Sequence, residues 1–114
     1  MAGQWAMVGF VVAGTAPRRV LIRAIGPSLS GFGVRSPAPA PVLTVFRSAV
    51  PLATNGRWGG ETTLTAAFAS AGAFALPATS ADSALLLTLE PGDHTAQVRD
   101  ATGGEVLVEV YFLK

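Results

Sequence analysis

The residues able to do chemistry are few and scattered. Gly26-Pro27-Ser28-Leu29-Ser30 approaches the nucleophile elbow G-x-S-x-G, but Ser30 stands where the second glycine is required. That elbow also belongs at a strand-to-helix turn of an α/β sheet. A serine nucleophile needs a base that is itself oriented by a carboxylate, and His94 is the one histidine in the chain. The pattern therefore reads Gly26 and Pro27 as a strand terminator and Ser28 as the cap of the next turn, and no catalytic residue is assigned. Gly31-Phe32-Gly33 lacks the third glycine of a dinucleotide fingerprint and leads into prolines instead of a helix. As a metal ligand His94 would have to recruit Asp82, Asp93 or Asp100, because the chain has no cysteine. Its position predicts a solvent histidine at a turn edge. Asp82 and Asp93 are the carboxylates that, with backbone carbonyls, would hold a hard cation such as Ca²⁺; turn capping is the other role open to them. No other cofactor is indicated.

Aromatic and basic residues point to two kinds of binding. Trp5, Trp58 and Tyr111 are candidates for a sugar-stacking platform. Trp58 is the best placed, in the loop NGRWGG beside Asn55; the alternative is a loop tryptophan folded onto the core. The pair Arg18-Arg19 invites a nucleic-acid reading. Phosphate recognition, however, calls for a basic stripe on a strongly basic domain, and this chain has a net charge of +1. The pair is better read as keeping a strand entrance solvated and guarding a sheet edge.

Composition limits what these residues can belong to. The 114 residues make one domain, 1–114, long enough to bury somewhat over roughly 60% of its unfolded surface without a metal or disulfide staple. Charged residues are 13% of the chain, against about 25% in an ordinary soluble domain, so the surface is weakly solvated and ready to associate. The charge is segregated. Up to position 57 every charged residue is an arginine, six in all, while the seven acids follow with Arg99 and Lys114, a balance of −5. Either the halves interleave and pair internally, or they form opposite poles that favour head-to-tail association. No run approaches the roughly 18 apolar residues of a membrane span. The opening MAGQWAMVGF lacks the basic leader of a signal peptide, so the expectation is an intracellular protein or a mature or trimmed part of an exported one.

Thirteen glycines and eight prolines cut the chain into short segments, the signature of an all-β domain with tight connections. Strands are predicted over 5–13, 19–25, 42–46, 50–54 and 83–89, and a terminal hairpin over 94–99 and 105–113. In the second strand Val20, Ile22 and Ala24 share one face, and Leu21, Arg23 and Ile25 the other, which should be the wetter. Leu29 and Phe32 are expected to plug the connection 26–41, whose PAPAP run is extended and stiff. Residues 62–71, with Leu64 and Phe68 four apart, are compatible with a helix of at most two turns. The uncharged strand 83–89 is expected to be central. About seven strands in this length predict an antiparallel two-layer β-sandwich of Greek-key or jelly-roll type.

The blocks GFVVAGTAPRRVLIRAIGPSLSGFGV, LATNGRWGG, AFALPATSADSALLLTLEPGDHTAQV and GGEVLVEVYFL together resemble a β-sandwich module found near the C-termini of large secreted or surface-anchored bacterial proteins. The resemblance spans nearly the whole chain in the order of its blocks. It implies an extracellular or cell-surface setting, a scaffold or adhesive role, and no catalytic activity. Three departures stand out. Asn55-Gly56-Arg57 replaces an Asn-Asp of the family pattern, which removes a carboxylate from a Ca²⁺-binding reading of that loop. His94 replaces an aromatic. The family usually carries a further strand before the position of Gly3, and its loss would leave an unpaired edge, a template for strand addition. The implied function is a non-catalytic extracellular module that self-associates or packs on neighbouring domains, in the extreme a filament subunit. Its association strands are marked by Trp5, Met7 and Phe10 at one end of the chain and Val106, Val108, Val110 and Phe112 at the other. A carbohydrate-binding module with Trp58, Asn55 and Trp5 is the alternative.

Overall fold

The computed structural model describes residues 4–114, with side chains from Ala6 onward. Its centre is the strand RRVLIRAI, whose branched residues favour an extended, half-buried backbone. This is β2 (Arg18–Ile25). It pairs antiparallel with β5 (Ser83–Leu89) on one side and β7 (Leu107–Phe112) on the other. Packed over this three-stranded sheet is a four-stranded one in the order β1 (Gln4–Val12), β6 (Gly92–Asp100), β3 (Val42–Arg47), β4 (Val50–Asn55). The described residues thus form a seven-stranded antiparallel sandwich. Its first core lies between the sheets, where Val20, Ile22 and Ala24 meet Leu43, Val45, Ala96 and Val98.

The opposite face of β2 is covered as well. The helix α1 (Thr62–Ala71) lays Leu64, Ala67 and Phe68 against Leu21, Ile25, Trp58 and Leu76, forming a second core outside the three-stranded sheet. At ten residues α1 is longer than the two turns expected; it ends where Gly72 adopts a left-handed φ of 72°. Because of this layer Arg23 is not on a wet face but fully buried.

Connectivity departs from the sequence reading in two places. The expected terminal hairpin does not form: β6 lies between β1 and β3, whereas β7 lies beside β2 in the other sheet. The alternation of β6 points His94, Ala96 and Val98 into the first core, and Gly103 and Gly104, both at positive φ, carry the chain across to the second sheet. Only β3 and β4, consecutive in the chain, pair with each other. The strand β5 is an edge strand, not a central one; its uncharged sequence reflects partial cover on both faces by the two cores.

The connection after β2 is held by close backbone approach. Pro27–Phe32 form a 3₁₀ helix, and the proline-rich stretch passes so tightly that a Cβ on Gly26 would strike the Ala38 carbonyl oxygen. A Cβ on Gly104, at φ 125°, would sit 2.7 Å from Ala38 N. Between these glycines Ala38 N donates to Glu105 O, and Glu105 N to Ser36 O. Leu29 is buried as expected, but Phe32 is 65% exposed and plugs nothing.

The charged halves interleave strand by strand. β6 of the acidic half separates β1 from β3, and β2 of the basic half separates β5 from β7. The opposite-pole reading is therefore overturned.

Candidate functional site

The two lateral sides of the sandwich differ. On one side β4 and β5 are laced together: Ala84 N donates to Asn55 Oδ1 (3.1 Å), Trp58 N to Asp82 O (3.0 Å), and Ser83 Oγ to the Pro41 carbonyl (2.6 Å). On the other side β1 and β7 are the outermost strands of their sheets, so among the described residues each has a backbone edge with no strand paired to it. Core-facing side chains show the consequence. Inward residues of the middle strands, such as Val20, Ile22, Ala96 and Val98, are at most 1% exposed. Ala6, Phe10, Val106, Val108 and Val110 pack on the same core but are only partly buried. Phe112, opposite Val20 in register and so on the core side of β7, is 42% exposed. Its ring meets Phe10 edge-on at 6.3 Å, bridging the two sheets at their open margin. Met7 and Val11, on the outer face of β1, are 65% and 59% exposed. Every residue marked from the sequence for association falls on this side, although the Trp5 side chain lies outside the described residues.

Trp58, the candidate for a sugar platform, takes the alternative position, folded onto the core. Trp58 is 2% exposed, tilts against Phe68 at 5.0 Å, and donates Nε1–H to Pro77 O at 2.9 Å. Asn55 is spent on structure as well, donating to Arg57 O while accepting from Ala84 N.

The two aspartates considered for a metal are not brought together. Asp82 precedes β5 and Asp93 begins β6, at opposite ends of β5, roughly 20 Å apart at about 3.3 Å per residue. Asp82 is fully buried and caps the turn after β2, accepting from Gly26 N (2.8 Å), Ser28 N (3.2 Å) and Ser28 Oγ (2.5 Å). Asp100 likewise caps, accepting from Thr102 N and Gly103 N on one oxygen and Ala40 N on the other. Asp93 is exposed. No cluster of three metal-ligating side chains occurs among the described residues.

His94 is not a solvent histidine. It is 2% exposed, stacked on Phe10 at 5.6 Å, with Nδ1 3.1 Å from Gly92 O and Nε2 without a hydrogen-bond partner. It sits near the start of β6, while Ser28 follows the far end of β2, so serine and histidine are separated by the length of the sandwich.

One group of polar residues had not been read as a unit. Arg23 Nε donates to Glu109 Oε1 at 2.7 Å, and Arg23 Nη1 to Phe74 O at 2.6 Å. The guanidinium lies between the rings of Phe68 and Phe74, 4.7 and 4.5 Å from their centroids. Tyr111 donates its hydroxyl to Glu109 Oε2 at 3.0 Å. Burial, reinforced by that bond, raises the Tyr111 pKa above its ordinary 10.0. The sequence carried a signal for this network: one arginine within the apolar run VLIRAI and one glutamate within VLVEVYF, each a charge that needs a partner once buried.

Comparison of the chain with family models, curated proteins and solved structures returns no match.

Proposed function

We propose that this domain is a non-catalytic structural and interaction module that associates through the open margin formed by β1 and β7, accepting an extended strand from a second copy. The observation that carries this reading is the exposure of Phe112, a core-facing residue of β7 at 42% where its register partner Val20 is at 0%, at a margin where Ala6, Phe10, Val108 and Val110 are also only partly buried. An added strand would satisfy the unpaired backbone groups of one edge and cover Phe10, Val108, Val110 and Phe112 together. The low charge of the chain favours such contact over solvation. The resemblance to modules of secreted and surface-anchored bacterial proteins supports an extracellular setting and a scaffold role.

Amide hydrogen exchange at low and high protein concentration tests the mode of association. Strand addition predicts that exchange in β1 or β7 slows as concentration rises, while the amides of β4 and β5 are unchanged. Association that leaves the β1 and β7 amides exchanging at their dilute rates would refute it.

A further inference from the structure

A cleft of about 470 Å³ lies between the 3₁₀ helix and the segment after α1, lined by Pro27, Ser28, Phe32, Phe74, Pro77 and Ser80 among others. We infer that this cleft is a binding site for a neutral saccharide. None of its lining residues belongs to β1 or β7, and its case is independent of the association reading.

The apolar wall is a fixed platform. Phe32 is 65% exposed, and its ring leans on Phe74 at 5.1 Å and 57°. Phe74 is held from behind by Arg23, whose guanidinium covers its ring and bonds its carbonyl. The 3₁₀ helix that presents Phe32 is pinned at its start by Asp82. An exposed aromatic on so constrained a support is pre-organised to receive the apolar face of a ring, since the electron-rich face of Phe attracts the partly positive C–H groups of a pyranose.

The polar groups select the chemistry of the occupant. Ser28 Oγ donates its proton inward to Asp82, and Ser30 Oγ donates to Pro27 O, so both hydroxyls have only lone pairs left to offer. Ser80 Oγ is buried without a partner, and its hydroxyl rotor is free to give or accept a bond. None of the residues lining the cleft is charged, which disfavours ionic ligands. The complementary ligand is therefore uncharged, carries an apolar ring face, and brings its own hydrogen-bond donors. A sugar meets all three conditions. A proline-rich peptide has ring faces but lacks N–H donors at its prolines, and so offers the spent serine hydroxyls fewer donors than a sugar does.

The test is an amide chemical-shift titration of the full chain with cellobiose, maltose, lactose and N,N′-diacetylchitobiose, and separately with a Pro-Ala repeat peptide. The expected result is that at least one disaccharide shifts the signals of residues 28–32 and 74–80 with a dissociation constant of about 1 mM. Phe32→Ala should weaken that binding at least about tenfold and Ser30→Ala several-fold, with the dispersed spectrum retained, while Phe112→Ala leaves it unchanged. The inference is overturned if no disaccharide shifts these signals, if Phe32→Ala and Ser30→Ala both bind as the parent does, or if the Pro-Ala peptide alone binds.

Discussion

At the scale of single residues, the buried pair of Arg23 and Glu109 is the most consequential polar feature. Removing one partner of a buried pair strands a charge and typically costs about 3–5 kcal/mol. Glu109→Ala should therefore lower the unfolding free energy by about that amount, measured by urea denaturation. Arg23→Met, which removes the buried charge but keeps an apolar chain along the path of the arginine stem, strands the less deeply buried Glu109, 15% exposed, and should cost less. Tyr111, the only tyrosine in the chain, adds a pH dependence with a definite sign. Its pKa in the folded state is raised, so the folded protein holds the phenol proton more tightly than the unfolded chain. That stabilisation is complete below the unfolded value of about 10 and is lost as pH rises through the higher folded value. The thermal midpoint should fall as pH is taken past about 10, and Tyr111→Phe should make that fall shallower. An ultraviolet titration of the phenol gives the folded midpoint directly. Misreadings at this scale have two causes. Arg23 was assigned to the wetter face, but alternation along a strand does not reveal a helix that covers its outer face, whereas His94 was assigned to solvent from its place beside a turn, although it belongs to a middle strand whose alternation points the ring into the inter-sheet core.

Elements show how much of the fold periodicity can specify. Alternating apolar positions located all seven described strands to within a few residues, because a period of two is a local property of the chain. Pairing is not local. The run of Ala101 to Gly104 looked like a hairpin turn, yet the chain crosses between sheets there, since Gly104 lies against Ala38 from a distant segment. The same packing makes a prediction about Gly26. A methyl group there would meet the Ala38 carbonyl and the Pro41 ring, both part of a tightly pinned connection. Gly26→Ala should destabilise the fold by about 1–3 kcal/mol, the usual range for overpacking, whereas Gly31→Ala, with nothing within 4 Å, should be tolerated. Comparing the two denaturation midpoints separates steric crowding from a general effect of losing glycine. The helix α1 was legible from Leu64 and Phe68, but its role as a lid over Arg23 was not, because nothing in the spacing of its own residues names the sheet face it covers.

For the whole molecule, the segregated charge of the sequence proved a poor guide, because both sheets contain strands of both halves. What remains visible at this scale is an imbalance between two sides, one laced by Asn55, Trp58 and Ser83, the other bounded by unpaired edges and partly open core residues. The association strands were readable in the sequence as apolar first and last strands. That they lie on one side, close enough for Phe10 to touch Phe112, required the three-dimensional arrangement. Contacts built on apolar strand addition should persist as salt screens charges, unlike polar head-to-tail contacts. Light scattering of the parent and of Met7→Lys, over a range of protein concentrations at low and high salt, measures this most directly. The account predicts a mass that rises with concentration, is insensitive to salt, and stays at the monomer value in Met7→Lys. A parent protein that remains monomeric throughout, or an assembly that dissolves as salt is added, would contradict it.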